Sequence, residues 1–254
     1  MLSLSATVNY SKTSFGRSKL LSILYQDEYI VVVHKPANML VHKSMIDRHE
    51  TEFLMKILRD QIGQYVYPVH RLDKPTSGVI LFALSSEIAR VLAQQFETHT
   101  IHKEYHAVVR GFAPDSAFID YALKEKLDPI ADKKANKNKE AQEAQTEMLK
   151  LAELSIPIPV GRYPGARFSL VKLLPRTGRK HQLRRHMAHI RHPIIGDTTH
   201  GDGKQNRFAR DILHFNKLAL CATKLSFKHP SSGEAMTCET AFEDDFQSLI
   251  ERFK

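Results

Sequence analysis

The sequence is poor in cysteine. Its 254 residues include only Cys221 and Cys238, and two cysteines supply neither the disulfide framework of a small secreted domain nor a cysteine-rich zinc site. Such low cysteine content is typical of proteins that work in a reducing, intracellular compartment. The sequence therefore predicts a cytoplasmic location.

Long apolar runs are also missing. No stretch approaches the ~18 consecutive apolar residues of a membrane-spanning helix, so no membrane segment is predicted. Residues 1–19 lack the apolar core of a signal peptide, and they are serine-rich with basic but no acidic residues. An organellar transit peptide has similar features, but we interpret these residues as a short disordered extension before one folded domain over residues 20–254.

The loops of several common enzyme classes are absent. The sequence contains no GxxxxGK[ST] phosphate loop, no GxGxxG loop after a strand and no G-x-S-x-G nucleophile elbow. Nucleotide hydrolysis, dinucleotide redox chemistry and acyl hydrolysis of that type are therefore unsupported, and no organic cofactor is implied.

Positive charge is abundant. The chain carries 37 Lys and Arg against 28 Asp and Glu, a formal net charge of +9. A basic domain attracts phosphate-rich partners, because each Lys or Arg placed on a phosphate releases counterions. A solvated basic surface is also common, so charge alone favours a nucleic-acid partner only modestly.

Apolar runs of strand length alternate with amphipathic segments. Helices are predicted around residues 53–62 and from Ser85 or Ser86 to about residue 96, whereas residues 124–150 lack apolar periodicity and predict an exposed loop or weak surface helix. The predicted strands cover residues 23–25, 29–33, 79–84, 105–109, 168–174 and 218–227. This interleaving favours one mixed α/β or α+β domain.

The segment HRLDKPTSG (His70–Gly78) places a carboxylate, Asp73, in a turn before an apolar strand. Thr76, Ser77 and nearby backbone amides are candidate hydrogen-bond donors that would favour the ionised carboxylate. Aspartate is also a routine turn residue, so this segment alone indicates only a turn.

A second segment places Lys103 and Tyr105 on one face of a predicted strand. Lys103 is positioned to contact a phosphate, and Tyr105 to stack on a base or to move a proton. A half-buried tyrosine in a strand is the plainer interpretation, so this segment indicates function only in company with others.

The third segment, Thr177–Pro193, is predicted to be a helix, because Leu183, Met187 and Ile190 recur at helical spacing. Four basic residues cluster near its predicted start: Arg179, Lys180, Arg184 and Arg185. Positive charge at a helix start costs ~0.3–1 kcal/mol per site, but the same end can bind an anion, either RNA phosphate or a buried carboxylate. A solvated basic face is the alternative.

The same segment is rich in histidine, which raises the question of a metal site. The histidines concerned are His181, His186, His189 and His192. Their spacing lacks HExxH, no carboxylate lies close in sequence and the neighbours are cationic, so a divalent cation would meet strong repulsion. We therefore predict no metal site.

Together these segments resemble the RluA family of pseudouridine synthases. KPANMLVH (Lys35–His42) resembles the family's first motif, HRLDKPTSG its catalytic motif, Lys103-x-Tyr105 its tyrosine motif and Thr177–Asp197 its arginine motif. Four motifs in the family's order are far more specific than any one of them. Within the family, the chain is most similar to members that modify tRNA at uridine 65, on the acceptor-stem side of the T arm.

The resemblance implies an α+β pseudouridine-synthase domain with a mixed, mostly antiparallel central sheet flanked by helices and loops. It implies an RNA substrate, most simply tRNA, base flipping, neither cofactor nor metal, and no obligate protein partner, hence a monomer. Asp73 would be the nucleophile, Tyr105 would stack on the target base and assist proton removal from C5, and Arg184 would pair with Asp73. Further RNA contacts would come from Arg71, which replaces the flipped base, and from Lys103, Arg179, Lys180 and Arg185.

The chain departs from the family pattern at two positions. Asn38 stands where the first motif has glycine, but asparagine tolerates positive φ better than most residues. Cys221 stands where the family has the histidine of an L-H-A sequence. Two alternatives stay open: a ribosomal-RNA synthase of the same family, and a noncatalytic RNA-binding protein. A metal-dependent nuclease lacks the clustered carboxylates that it would need.

Overall fold

The computed structural model describes residues 20–42, 52–124 and 140–254. The predicted extension over residues 1–19 therefore lies outside the described residues, as does most of the charged segment of residues 124–150. Within these ranges no helix is long and apolar enough to cross a membrane.

The described ranges contain ten strands and five helices. The strands are β1 (Ile23–Gln26), β2 (Ile30–Lys35), β3 (Tyr67–Pro68), β4 (Ser77–Ala83), β5 (His102–Arg110), β6 (Ser116–Asp120), β7 (Gln145–Ile156), β8 (Ala166–Pro175), β9 (Leu220–Lys228) and β10 (Ala235–Glu239). The helices are α1 (Leu54–Ile62), α2 (Ser86–Glu97), α3 (Gln182–His189), α4 (Gly203–Ile212) and α5 (Asp244–Glu251).

All the strands belong to one sheet, in the order β1-β2-β4-β9-β5-β8-β7-β6, with β10 paired to β9 and β3 to β4. Each pairing is antiparallel except that of β4 with β9, which is parallel and matches Ser77 to Cys221 and Gly78 to Ala222. The prediction of an α+β domain with a mixed, mostly antiparallel sheet is confirmed. The late strand β9 thus lies in the middle of the sheet, between β4 and β5.

Strand β4 is buried along its whole length, which explains its unbroken apolar sequence. Ile80 and Phe82 pack in the cluster that contains α1, whereas Val79 and Leu81 face the cluster that contains α2. Helix α2 begins as predicted, because the Ser85 side chain accepts a hydrogen bond from the backbone N–H of Ile88. A third cluster packs β5 and β8 against α3, α4 and α5.

Two expectations about the basic segments need correction. Residues 145–150 are not loop or helix but the start of β7, since their pairing with β8 overrides a charge-rich sequence. The helix predicted over Thr177–Pro193 covers only Gln182–His189, because the backbone is left-handed at His181 (φ 56°) and Arg191 (φ 68°). Arg179 and Lys180 therefore lie in the turn before α3.

The parallel contact between β4 and β9 depends on Gly78. Its φ of +118° is a backbone conformation that residues with a side chain rarely adopt, and a Cβ there would lie 2.1 Å from the carbonyl oxygen of Ala222. The backbones approach this closely only because the last residue of HRLDKPTSG has no side chain.

We expect Gly78→Ala to lower the free energy of unfolding by about 3 kcal/mol or more, because the added methyl group collides with backbone at a strained φ. Urea denaturation measures the change. Gly203→Ala is the matched control, since nothing lies within 4 Å of its added Cβ, and it should change stability by less than about 0.5 kcal/mol. Equal stability of the two variants would contradict the proposed close approach.

Candidate active site

The three residues predicted to be catalytic come from three different elements. Asp73 lies in the turn before β4, Tyr105 in β5 and Arg184 in α3. The guanidinium Nη1 of Arg184 donates to Oδ2 of Asp73 over 3.2 Å. The structure thus brings together two side chains that are 111 residues apart in sequence.

Arg184 is itself held by a second carboxylate, Asp197. Arg184 Nε and Nη2 donate to the two oxygens of Asp197, each over 2.8 Å, and both side chains are buried, with 5% and 1% exposed. A bidentate pair of this kind fixes the plane of the guanidinium. The remaining Nη1 is thereby aimed at Asp73.

Asp197 is an ionised acceptor with a full set of donors. Burial raises the pKa of its carboxyl, but hydrogen bonds from Arg184 and from the backbone N–H groups of His200 and Thr199 outweigh burial and hold that pKa below its ordinary value. The two backbone donors both lie 2.9 Å from Oδ1. Because buried Arg184 stays cationic, the paired charges compensate one another.

The backbone around Asp197 is fixed by α4. The Asn206 amide accepts from the N–H of Gly196 and donates to the carbonyl of Asp197, both over 2.8 Å. Gly196 has φ +78°, and a Cβ there would lie 1.7 Å from the carbonyl oxygen of Lys217. This packing accounts for the Gly-Asp that ends the arginine motif. Sequence reasoning included Asp197 in that motif but assigned it no role.

Tyr105 is a neutral phenol close enough to Asp73 to be affected by its charge. Burial, and then the negative charge of Asp73, raise the pKa of its hydroxyl far above the ordinary value. Its strand pairs with β8 and β9, and a bulge between Glu104 and Tyr105 interrupts the β9 register. The ring packs against the edges of two hydrophobic clusters, which holds it rigidly.

His181 is a neighbour of Asp73 that the sequence did not single out for this site. Its Nε2 lies 3.9 Å from Oδ2 of Asp73, and its Nδ1 lies 3.0 Å from Nε2 of His200. Burial lowers the pKa of His181, despite the opposing charge of Asp73, which favours the neutral imidazole. The left-handed backbone at His181 carries no sequence signal, although it turns the ring toward the carboxylate.

His70 fixes the start of the catalytic motif. Its Nε2 accepts the backbone N–H of Leu81 over 3.0 Å, and its ring stacks on Phe96 at 4.7 Å. Burial, with a smaller contribution from Lys103, lowers the pKa of His70 to about 3. The ring is therefore neutral and accepts at Nε2, which fastens the segment leading to Asp73 onto β4.

Lys35 supports the other side of the Asp73 turn. It is completely buried, and its ammonium donates to the carbonyls of Pro36, Met39 and Lys74 over 2.8, 2.8 and 3.0 Å. Burial lowers the pKa of Lys35 to about 7, although Glu243 and Asp73 act in the opposite direction. The three acceptors match the three protons of the ammonium form, so the first motif is tied to the residue after Asp73.

Glu243, just before α5, holds the same loop from the carboxyl-terminal side. It accepts the N–H of Ala37 over 2.8 Å and the ammonium of Lys217 over 2.7 Å, and lies 3.7 Å from His34. Burial raises the pKa of Glu243, but these partners lower it to about 2. The end of the chain thus stabilises the loop under the active site.

Thr76 and Ser77 do not hydrogen-bond the Asp73 carboxylate, contrary to expectation. The backbone N–H of Thr76 donates to the backbone carbonyl of Asp73 over 3.0 Å, which closes the turn, and Ser77 hydrogen-bonds the Cys221 thiol. Both side chains are buried, and Ser77 lies in the parallel β4–β9 contact.

The residues predicted to bind RNA differ in exposure. Arg71 and Lys180 are exposed, and Arg185 is half-buried. Lys103 donates to the carbonyl of Thr177 over 2.9 Å, and burial lowers its pKa to about 8. Arg179 donates to the carbonyl of Glu143 over 3.0 Å. Their contacts with RNA stay predictions.

The other histidines near α3 have structural partners. His186 is buried between the hydroxyl of Thr146 and the carbonyl of Tyr121, each at 3.0 Å. His189 stacks on the Tyr121 ring at 3.7 Å, and His192 Nδ1 lies 2.9 Å from the carbonyl of Arg110. Across the part of the chain that the structure describes, no group of three or more His, Cys, Asp or Glu is arranged to hold a metal ion.

Comparison with known proteins places this geometry in a family. Residues 29–189 match the family model described as RNA pseudouridylate synthase. This chain belongs to that family. It is therefore an RNA pseudouridine synthase, an isomerase, and the resemblance to RluA-type enzymes is confirmed.

Individual relatives support the same family. The proteins named tRNA pseudouridine synthase C from Vibrio parahaemolyticus and Yersinia pestis are 53% and 55% identical over 234 residues, covering 92% of this chain and 95% and 91% of theirs. The solved structure titled Human RNA Pseudouridylate Synthase Domain Containing 1 superimposes with a TM-score of 0.67 at 25% identity, covering 90% of this chain and 86% of that one.

We expect Asp197→Asn to lower kcat roughly 100-fold with little change in KM, because a misaimed Arg184 misplaces Asp73. Loss of the buried charge pair should also lower the free energy of unfolding by about 3 kcal/mol. Single-turnover kinetics and urea denaturation measure the two effects. Asp211→Asn, which breaks an exposed pair with Arg210, is the matched control. Wild-type turnover in the Asp197 variant would rule out this positioning role.

We expect Glu243→Gln to destabilise the protein at pH 7 by about 1 kcal/mol, after allowance for solvent screening. Because folding lowers the pKa of Glu243 from 4.5 to about 2, its contribution is fully present above pH 4.5 and is lost as the pH falls toward 2. Urea denaturation across this range should show the difference from wild type narrowing. Glu251→Gln, at an exposed position of α5, serves as the control; a pH-independent difference would contradict the assignment.

Proposed function

We propose that this pseudouridine synthase acts on tRNA, at uridine 65 on the acceptor-stem side of the T arm, with Asp73 as its nucleophile. The identity of more than half to relatives named for tRNA supports the substrate. The observation that carries the residue roles is the Asp73–Arg184–Asp197 arrangement. In it Asp197 fixes the guanidinium of Arg184, which in turn orients the carboxylate of Asp73.

The reaction begins when the target uridine leaves the base stack, at a cost of a few kcal/mol that pocket contacts offset. Tyr105 is suited to stack on the flipped uracil, since its ring is neutral and packs against two hydrophobic clusters, and the charge of Asp73 acts on it. Arg71 is exposed and lies two residues before Asp73, so it is placed to fill the gap that the flipped base leaves in the RNA. Together, Tyr105 and Arg71 would keep the target uridine beside Asp73.

Asp73 then promotes cleavage of the bond between C1′ and N1. The freed uracil turns and bonds to C1′ through C5, C5 loses its proton, and N1 gains one, so the reaction is an isomerisation with no net uptake of water. A hydrolase would need a second, available carboxylic acid to protonate the leaving group. The nearby Asp197 is unsuited to that role, because Arg184 and two backbone N–H groups occupy its oxygens.

The remaining expectations follow from this proposal. An enzyme of tRNA acts in the cytoplasm, and both cysteines are free and buried, in keeping with a reducing compartment. One chain supplies Asp73, Tyr105 and Arg184, so we propose that the monomer is the active form, without an obligate protein partner, cofactor or metal.

The decisive test maps pseudouridine at nucleotide resolution in tRNA and ribosomal RNA, after incubation with wild-type protein and no added metal. We expect a new pseudouridine at tRNA position 65 with wild type and none with Asp73→Asn, which removes the nucleophile but keeps the shape of the side chain. Asp60→Asn, on an exposed position of α1, is the control and should match wild type.

Each alternative has its own outcome in this experiment. A modified site found only in ribosomal RNA would transfer the substrate assignment to ribosomal RNA. Binding of RNA without any pseudouridine would support a noncatalytic protein. Full turnover by Asp73→Asn would show that the nucleophile has been assigned wrongly.

A further inference from the structure

A second concentration of positive charge lies away from the Asp73 site. It contains three exposed cations and two exposed aromatic rings, which we call the arginine–aromatic patch: Phe112, Arg162, Tyr163, Arg167 and Lys204. The loop between β7 and β8 supplies Arg162 and Tyr163, β8 supplies Arg167, the segment after β5 supplies Phe112, and α4 supplies Lys204. The sequence assigned no role to any residue of this patch.

Direct contacts hold the patch together. The guanidinium of Arg162 lies over the Tyr163 ring at 5.3 Å and donates to its hydroxyl over 3.3 Å. The guanidinium of Arg167 lies over the Phe112 ring at 5.4 Å. The hydrogen bond and charge of Arg162 lower the pKa of Tyr163, and the charges of Arg110 and Arg167 act in the same direction.

Lys204 joins the same surface from α4. A Cβ on Gly161, next to Arg162, would lie 3.7 Å from the ammonium of Lys204. Asp202, at the start of α4, is paired with Arg110 over 2.9 Å. Among residues 20–42, 52–124 and 140–254, no carboxylate forms an ion pair with Arg162, Arg167 or Lys204.

The pairing of guanidinium with aromatic ring prepares these arginines to bind an anion. Stacking on Phe112 and Tyr163 restricts the side chains while leaving their N–H groups at the surface. Less conformational entropy is then lost when a phosphate binds. Exposed rings can also stack on a base or sugar of an RNA strand, and an excess of one charge sign favours a polyanion over a protein surface.

The patch lies at the far end of the elements that carry the active site. Arg110 joins the end of α3 to the start of α4, because it donates to the carbonyl of Arg191 and to Asp202. Along β8, Arg167 is six residues from Leu173, which is the partner of Tyr105 in β5. Arg167 and Tyr105 therefore lie on the same face of the sheet, roughly 20 Å apart at the rise of a strand. That distance corresponds to roughly six base-pair steps of a duplex.

We propose that the arginine–aromatic patch binds the phosphate backbone of the substrate RNA, in the duplex about six base pairs from the target uridine. The proposal rests on the proposed RNA-modifying function and adds to it a second contact that sets which RNAs bind well. A uridine in a short hairpin reaches only the Asp73 site, whereas a uridine in a stacked tRNA arm reaches both.

The test compares Arg162→Ala/Arg167→Ala/Lys204→Ala with a charge-matched control, Arg90→Ala/Lys228→Ala/Arg252→Ala, whose three residues are also exposed. Filter binding measures Kd for full-length tRNA transcript and for a hairpin with fewer than about six base pairs on either side of the target uridine. Each measurement is repeated from low to moderate salt, and circular dichroism checks that both variants fold.

For full-length tRNA we expect the patch variant to raise Kd about tenfold or more at physiological salt. The slope of log Kd against log salt should fall by about 2 to 3, since each lost phosphate contact contributes about 0.7–0.9. The loss should be clearly smaller on the short hairpin. Arg162→Lys/Arg167→Lys, which keeps charge but loses ring stacking, should recover only part of the affinity.

The proposal would be overturned if the patch variant kept the wild-type Kd and salt slope for tRNA, or if the patch and control variants lost affinity equally. The patch would then bind a protein ligand or only solvent. Wild-type activity on tRNA separates this failure from that of the proposed function. If wild type forms pseudouridine in tRNA but the patch variant binds like wild type, only the patch assignment is wrong.

Discussion

The active site depends on one guanidinium shared between two carboxylates. Asp197 occupies two of the donors of Arg184 and leaves Nη1 for Asp73. Because the ion pair between Arg184 and Asp197 is buried, its geometry is insensitive to solvent and salt. Asp73 is held in place in turn, since it accepts a hydrogen bond from the same guanidinium. His70 and Lys35 hold the Asp73 turn through β4 and the Lys74 carbonyl, and Glu243 holds the loop after β2 through Ala37. The need to hold the Asp73 carboxylate in one position thus explains the buried Arg184–Asp197 pair, the buried Lys35 and the neutral His70.

The proximity of Asp73 and Arg184 was predictable from sequence, because HRLDKPTSG and the arginine motif resemble motifs of a known family. The structure places the two side chains in contact, as that resemblance implies. The residues that position them were not predictable. Asp197 meets Arg184 through a loop that α4 fixes, and a fully buried Lys35 contradicts the usual exposure of lysine. The roles of Asp197 and Lys35 arise from contacts between segments that are distant in sequence, and such contacts produce no periodic pattern in the sequence.

The fold shows the same division. Strands with continuous apolar sequence, such as β4, and a capped amphipathic helix, such as α2, were predicted correctly. Strand β7 was not predicted, because its first residues are polar and only their pairing with β6 and β8 makes them a strand. The extent of α3 was overestimated, because left-handed residues cannot be recognised in a helical pattern. The edge strands β6 and β10 were not predicted, since short half-exposed strands carry little apolar signal.

The central place of β9 has a consequence for how the protein acquires activity during its synthesis. Residues up to Arg110 include the nucleophile and the tyrosine, yet β4 and β5 are joined only through β9, which the ribosome makes last but for β10 and α5. In a nascent chain, Asp73, in the turn before β4, and Tyr105, on β5, therefore lack the strand that lies between β4 and β5. An incomplete polypeptide lacks β9, which joins β4 to β5. The active site can therefore assemble only after β9 has been synthesised.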